Sequence, residues 1–579
     1  MYKVGRYFSF FIVLAVVLSL GVAAAMAGAV EADDPACNCG TICVNTTGWW
    51  SNGGSFNASS TPIQDAVNNA SGGDVICVGN GVYNESVNVN TAYLTIRSQN
   101  GAANCIVSTP NPTYNVFYVS ANWVNITGLT IQNAAGSNMA GILLDGADYC
   151  NISGNNVTNN DYGVYPHSSF NTTIASNNFF NCSGGDADIY CYNTGYTTIS
   201  HNTFFGNGGP DYAVHTNNES SGLIDGNEMR DYNTEAIRTT STTATISSNY
   251  MADSDWGIEP TYSTLVIFNN TIENGTCDGI DVYDGANLTI YDNFITNCGN
   301  GIFCPSDNPA TRFVAYNNTI TNCTNGILVR NCQRFNQVYS NRLTGNGYGV
   351  YLDPTSNTTV YNNYFDNTIN AYDDGNNTWN ITKTAGTNIL GGSWLGGNYW
   401  SDYDWANDVD GDGLGDIPYN ITGGSDKDYL PLVPSGICCP TDMVIILDDT
   451  GSMGGAIGNI QAGLVNIINA LLTVSAGDLR LGYITFKDDV TVHNALTTNI
   501  AAVMDSINAT SAGGGAGYPE ASDEAKNAAV NNLPGGTRAD SAGNSGIQNG
   551  DFTTPWRSEA FKLVVLITDA PPAGFNDAE

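Results

Sequence analysis

The sequence predicts a multidomain fold, an all-β solenoid of the right-handed parallel β-helix kind followed by an α/β doubly wound, Rossmann-like domain. Three observations predict it. An Asn-centred motif, I/V-x-x-N-x-apolar, returns about every 23 residues through the first two thirds of the 579-residue chain. The last quarter instead alternates buried-strand runs with helical spacing, which is the pattern of a parallel sheet flanked by helices. Solubility rests on Asn, Thr, Ser and Gly, because only 12% of residues are charged, with 54 Asp+Glu against 17 Lys+Arg. A net charge of −37 repels nucleic acid and anionic membrane surfaces and favours divalent cations.

The N-terminus carries Lys3 and Arg6, an apolar stretch from Phe8 to Val22, and the small-x-small site Ala25-Met26-Ala27. Together these describe a secretory signal over residues 1–27 and an exported or cell-surface protein. No later stretch is long and apolar enough to cross a bilayer. Fifteen cysteines in an exported chain read as a disulfide supply, three of them close together at Cys37, Cys39 and Cys43 and two adjacent at Cys438-Cys439. The count is odd, so one thiol is free, pairs between chains, or pairs beyond this sequence. About twenty N-x-S/T sequons suit a glycosylated surface.

After a Cys-rich segment, 28–60, the solenoid is expected over 61–400. The stretch TPIQDAVNNASGGD forms its lid, with Thr61 as cap, Pro62 at the first helical position, and Ile63, Ala66 and Val67 as the apolar stripe. The motif copies ISGNNV, IASNNF, ISHNTF, IDGNEM, ISSNYM, IFNNTI, IYDNFI, VAYNNT, VYSNRL and VYNNYF set Asn155, Asn177, Asn202, Asn227, Asn249, Asn270, Asn293, Asn317, Asn341 and Asn363 in one column. A unit of this length cannot bury its apolar face alone, so successive coils must stack. An inward amide can then bond backbone and the same amide one coil away, a ladder whose role is structural.

Between these copies comes a small residue followed by Ile or Val, as in Gly163-Val164, Ala213-Val214 and Gly279-Ile280. The residue after each Ile/Val points outward. This sets Tyr165, His215, Arg238, Glu259, Asp281, Phe303, Leu328 and Tyr351 in a second column, with one irregular coil after Tyr165. His215, Arg238, Glu259 and Asp281, with Trp256 nearby, form either a cross-coil charge ladder or a contact for polysaccharide. Glu259 and Asp281 fall at the spacing of retaining glycosidases, but so does any pair on neighbouring coils. No catalytic residue is assigned on that basis.

An acidic closing segment, 401–433, contains DVDGDGLGD. Asp408, Asp410, Asp412 and Asp416 take alternate positions of a Ca2+ loop, and Gly413 permits its turn. Tyr419 stands where a bidentate Glu is expected, leaving Asp402 or Asp404 to complete the shell.

From IQDAVNNASGGDVICVGNGVYNESV through the repeats to GGNYWSDYDWANDVDGDGLGDIPY, residues 61–432 resemble the NosD-like right-handed β-helix proteins abundant in archaeal exported proteins. The copper delivery of that family's founding members is not implied, since four His and eight Met show no close spacing. The paired-Asp motifs of polygalacturonases and the Arg/Lys set of pectate lyases are not evident.

A short linker, 434–441, precedes the α/β region, 442–579. DMVIILDD and FKLVVLITDA end as strands in Asp448 and Asp569, and ligands bind at such strand ends. ILDDTGSM and LITDAPP resemble the von Willebrand factor type A domain. The resemblance implies that Asp448, Thr450, Ser452 and Asp569 hold Mg2+, Mn2+ or Ca2+ through oxygen and water, with one position left for an acidic group of a protein ligand. Asp449 then faces solvent, and Thr510, Ser511 or Glu520 supplies the remaining oxygen. The chain ends ten residues after Asp569, before the last elements of that family, so the domain is expected to be incomplete. The sequence thus favours metal-dependent adhesion or envelope organisation on a β-helix, with a polysaccharide-binding or polysaccharide-cleaving rod and a purely structural envelope component as the alternatives.

Overall fold

The computed structural model describes residues 39–182, 187–206, 212–305, 308–332, 335–404, 407–408, 412–434, 441–475, 478–515, 521–539, 545–558 and 560–569. The expected signal segment, Asp410, Cys438-Cys439 and Glu520 lie outside them. Two compact units result, one reaching Gln337 and including Leu343–Asn357, the other comprising Val338–Arg342 and the chain from Thr358 onward.

The first unit is a parallel β-solenoid with three strands per coil. Each sheet is held in register by one inward apolar column: Ile152, Ile174 and Ile199 in the first, Val157, Phe179 and Phe204 in the second, Val214, Ile237 and Ile258 in the third. All nine are at most 1% exposed, so the coils bury continuously what none buries alone. Where the residue before a third-sheet Ile or Val is glycine, close approach requires it. A Cβ on Gly301 meets Gly326 O at 2.5 Å and Ile320 Cγ2 at 2.4 Å.

The amide ladder runs through this interior. Asn249 Nδ2 donates to Ile224 O at 2.9 Å and to Asn270 Oδ1 at 3.0 Å, and its own Oδ1 accepts from Asn227 N and Nδ2, both at 3.0 Å. The same pattern joins Asn155 to Asn177, Asn177 to Asn202 and Asn270 to Asn293. At VAYNNT the ladder uses Asn318, not Asn317. Asn293 N and Nδ2 both donate to Asn318 Oδ1 at 3.0 Å, while Asn317 takes a left-handed turn at φ 56°, a conformation Asn tolerates.

The lid helix, Pro62–Asn69, buries Ile63, Ala66 and Val67. Its cap is not Thr61, which makes no side-chain cap bond. The buried carboxylate of Glu85 accepts from Ile63 N at 3.1 Å and Gln64 N at 2.8 Å, supplying from another coil what the helix end lacks. Cys39 pairs with Cys77 on the first coils.

In the second unit the ladder motif continues from Asn341 through Asn363 to Asn398 and ends on Asp428. That carboxyl accepts from Asn398 N at 2.7 Å and Trp400 Nε1 at 3.0 Å, and burial pushes it up to about 7.

The chain from Thr441 forms a six-stranded sheet in the order Gly536–Ala539, Ser545–Asn549, Val490–Thr497, Leu479–Phe486, Thr441–Asp448, Phe561–Ile567. Thr441–Asp448 runs parallel to both its neighbours. The sheet is mixed rather than wholly parallel, because the short turn after Phe486 returns Val490–Thr497 antiparallel. Met443, Ile445 and Leu447 pack with Leu464 and Ile468 of the helix Ile457–Val474 and with Val503 and Ile507 of the helix Ile500–Ala509. Val444 and Ile446 pack the other way, with Ala525 and Ala529 of the helix Ser522–Val530. Among the described residues no helix is long and apolar enough to cross a membrane.

Candidate functional site

The third sheet of the solenoid carries two adjacent columns of side chains, in which Tyr162, His215, Glu235, Asp278 and Asp281 are buried and Tyr165, Tyr190, Arg238, Trp256 and Glu259 are partly exposed. Strand pairing sets Tyr190 beside His215, His215 beside Arg238, and Arg238 beside Glu259. Ile258 pairs with Ile280, so Glu259 and Asp281 follow them on neighbouring strands, and Asp281 lies beside Phe303. The irregular coil of the sequence column is filled by Tyr190. Its small residue is replaced by Asp188, which is wholly buried and accepts from Tyr232 OH at 2.5 Å, and that substitution hides the coil from a pattern search. The second column stands three positions earlier on each strand and includes Tyr162, Tyr212, Glu235, Trp256, Asp278 and Asn300.

At one end the face is aromatic. Tyr190 lies 5.1 Å from Tyr165, 5.4 Å from Tyr162 and 5.0 Å from His215 between ring centroids, and Tyr212 lies 5.3 Å from His215. His167 stacks on Tyr192 at 5.7 Å and bonds Asp145 at 2.9 Å. At the other end it is acidic around one guanidinium. Arg238 reaches Glu235 at 2.9 Å, Glu259 at 3.2 Å and Tyr212 OH at 3.3 Å. Burial and the neighbouring Glu259 push the Glu235 carboxyl up to about 7. Asp278 accepts from Trp256 Nε1 at 3.1 Å and from Asn300 Nδ2 at 2.6 Å, and Asn325 supports Asn300 at 2.7 Å. Asp281 is 6% exposed, and its Oδ1 is buried without a hydrogen-bond partner.

A second cluster lies at the C-terminal sheet. Thr450 Oγ1 donates to Asp448 Oδ1 at 2.6 Å and bonds Ser452 Oγ at 2.9 Å, and Ser452 Oγ donates to Asp569 Oδ1 at 3.1 Å. Thr568, which no sequence pattern marks, donates to Asp448 Oδ2 at 2.8 Å. Asp448 is fully buried whereas Ser452 and Asp569 are exposed, so the oxygens open to solvent on one side. Asp449 does not face solvent freely: its carboxylate lies 3.4 Å from Lys487 Nζ and its side chain is largely covered. Thr510 is engaged elsewhere, by Tyr483 OH at 2.8 Å and Ser506 O at 2.9 Å.

In the acidic loop, Asp408 accepts from Asp412 N at 3.1 Å and Gly413 N at 2.9 Å, and Gly413 has φ 87°. Asp412 is ion-paired with Lys383. Asp416 donates its backbone N–H to Asn407 O at 2.8 Å. Asp402 accepts from Tyr419 OH at 3.0 Å and Asn370 Nδ2 at 2.8 Å.

Residues 210–405 match the family model described as periplasmic copper-binding protein (NosD), and residues 114–250 match that of the right handed beta helix region. The repeats are therefore a NosD-like, right-handed parallel β-solenoid. Among the described residues no three His, Cys, Asp or Glu side chains come together as a metal group. No curated protein matches the chain. Among solved structures it is similar to an alginate lyase from Paenibacillus sp. str. FPU-7, at 17% identity over 44% of this chain and 91% of that one with a TM-score of 0.35. It is also similar to the catalytic unit of a thermostable GH87 alpha-1,3-glucanase from Streptomyces thermodiastaticus strain HF3-3, at 12% identity over 56% of this chain and 65% of that one with a TM-score of 0.39. The Dettilon tailspike protein is 12% identical over 51% of this chain and 61% of that one, with a TM-score of 0.37.

Proposed function

We propose that the protein works outside the cytoplasm and binds polysaccharide along the third sheet of its solenoid. The observation that carries this is the unbroken run of aromatic rings from Tyr162 and Tyr165 through Tyr190 to His215, joined to the hydrogen-bonding groups of Arg238, Glu259 and Trp256. Sugar rings present C–H groups that suit the negative faces of aromatic rings, and hydroxyls that suit paired carboxylates and a guanidinium. Strands about 4.8 Å apart let a long chain meet the aromatic and the charged contacts in succession. The test is affinity electrophoresis and calorimetry against laminarin, starch, xylan and chitosan. Tyr190→Ala is expected to weaken binding about tenfold; no binding to any of these polymers refutes the proposal.

A second activity is favoured by the convergence of Asp448, Thr450, Ser452 and Asp569. An all-oxygen set containing two carboxylates and two hydroxyls fits Mg2+, Mn2+ or Ca2+, and the order of the three parallel strands supports a type A-like domain. These residues would hold the ion, and the ion would take an acidic group of a protein ligand, giving metal-dependent adhesion. Calorimetry with Mg2+ and Mn2+ tests it: Asp448→Ala is expected to abolish ion binding, and an unchanged titration overturns it. The turn around Gly413 is compatible with a Ca2+ loop, in which Lys383 would have to release Asp412.

A further inference from the structure

We infer that the solenoid face hydrolyses glycosidic bonds of a neutral or amino polysaccharide, with Asp281 as proton donor and Glu259 as nucleophile; this rests on the binding proposal above. The starting point is an oddity of packing. Asp281 is 94% buried by its 6% exposure, yet its Oδ1 has no hydrogen-bond partner. A buried acceptor left unpaired lowers stability and contributes no structural contact, so it marks a place where a ligand group completes the bonding.

Its neighbours define the chemistry. Asp278, Glu259 and Glu235 all face it electrostatically, and burial followed by these three carboxylates pushes Asp281 up to about 8. The cation of the cluster, Arg238, is already engaged by Glu235 and Glu259. Asp281 therefore carries its proton near neutrality. Glu259 on the neighbouring strand is instead ion-paired, at 3.2 Å from Arg238. A carboxyl that keeps its proton beside one ion-paired to a guanidinium suits the acid and nucleophile roles. Adjacent strands stand about 4.8 Å apart, a spacing shared by any pair on neighbouring coils, so Glu259 and Asp281 are within reach of one glycosidic bond.

The bonds balance in two steps. In the first, the glycosidic C–O bond breaks as the Asp281 proton passes to the leaving oxygen and a Glu259 oxygen bonds the anomeric carbon. In the second, the Asp281 carboxylate takes a proton from water, the water oxygen bonds the anomeric carbon, and Glu259 departs as carboxylate. One water is consumed and both side chains are restored.

Charge selects the substrate class. Glu235 and Glu259 pair with a single arginine, Asp278 and Asp281 follow on the next strand, and the whole chain carries −37. A uronate polymer is repelled by such a surface. Elimination chemistry on uronates also needs a cation over the substrate carboxylate, and Arg238 is already held by two glutamates. Neutral and amino sugars meet neither obstacle.

The experiment incubates the full chain with laminarin, starch, xylan and chitosan, and in parallel with alginate and polygalacturonate. Reducing ends, product mass and binding are measured together, and circular dichroism checks that each variant is folded. New reducing ends bearing the mass of one water, from a neutral or amino polymer, are expected. Asp281→Asn and Glu259→Gln should each lower kcat by about 100-fold or more while binding stays within about threefold. Asp281→Glu, which keeps the acid, should recover part of the rate. Binding without new reducing ends overturns hydrolysis and leaves the binding proposal standing, whereas no binding removes both. Unsaturated uronate products overturn the substrate class, and an unchanged rate in folded Asp281→Asn overturns its role.

Discussion

The solenoid and the C-terminal sheet solve the same problem of buried polar groups in opposite ways. In the solenoid each inward amide shares its load with identical neighbours: Asn249 is bonded to Asn227 behind it and Asn270 ahead. In the C-terminal sheet a single carboxylate does the tying. Asp442 is fully buried and receives Arg480 Nε at 2.8 Å, Arg557 Nε at 2.9 Å and Arg557 N at 2.7 Å, which anchors the segment before Phe561–Ile567 to the central strand. Repetition spreads the cost of losing one residue; a single hub concentrates it.

Candidate sites follow the same division. A site on the solenoid is a column, so residues about 23 positions apart meet. The oxygen cluster of the sheet instead needs Asp448 and Asp569 brought together from two strands that are neighbours in space and far apart in the chain.

The sharpest way to break this comparison is at Asp442. Asp442→Ala removes the carboxylate that Arg480 and Arg557 share in a covered site, leaving Arg557 paired with Asp478, and should cost about 3–5 kcal/mol in a denaturant titration followed through the C-terminal sheet. Burial raises this carboxyl, but hydrogen bonds from Arg480 and from Arg557 outweigh it and hold it below the ordinary range. The stabilisation is therefore present above the unfolded value of about 4 and is lost as pH falls through the lower folded value. Asn249→Ala should cost less, about 2–3 kcal/mol, since the groups that lose a bond are two neighbouring side-chain amides, one backbone N–H and one carbonyl, all uncharged. An equal or larger loss than for Asp442→Ala would show that the ladder is not redundant.

Asp281→Asn should have the smallest effect and the opposite sign. The folded carboxyl is pushed up to about 8 by burial and by Asp278, Glu259 and Glu235, so the unfolded chain ionises first. Its favourable contribution is complete below about pH 4 and is lost as pH rises toward the folded value. The variant should therefore match the parent at pH 4 and exceed it at pH 7, as measured by melting across that range. A variant less stable than the parent at pH 7 would mean that the charged form is supported by its surroundings.

Much of the solenoid is legible in the sequence, because one period governs both the apolar columns and the amides. Ambiguity arises where that period allows two neighbours. VAYNNT permits either Asn317 or Asn318, and the choice is made by which backbone turns left-handed. Tyr190 escapes the pattern because Asp188 replaces a small residue there, at a position where Tyr232 supplies its partner. Glu85 as helix cap is likewise invisible, since it acts across 21 positions. In the oxygen cluster the D-x-T-x-S spacing brings Asp448, Thr450 and Ser452 together locally, whereas Thr568 joins only through strand pairing.

The sequence by itself determined the coil repeat, its inward apolar and amide columns, the outward order from His215 to Asp281, and the acidic, weakly charged character that turns anions away. These depend on period and composition, which are properties of the chain alone. The tertiary structure decided which carboxyls are paired and which are not: Asp442 between two arginines, Asp449 against Lys487, Asp278 under Trp256, and Asp281 with a bare oxygen among three other acids. Protonation depends on burial and on neighbours distant in sequence, and only packing fixes those.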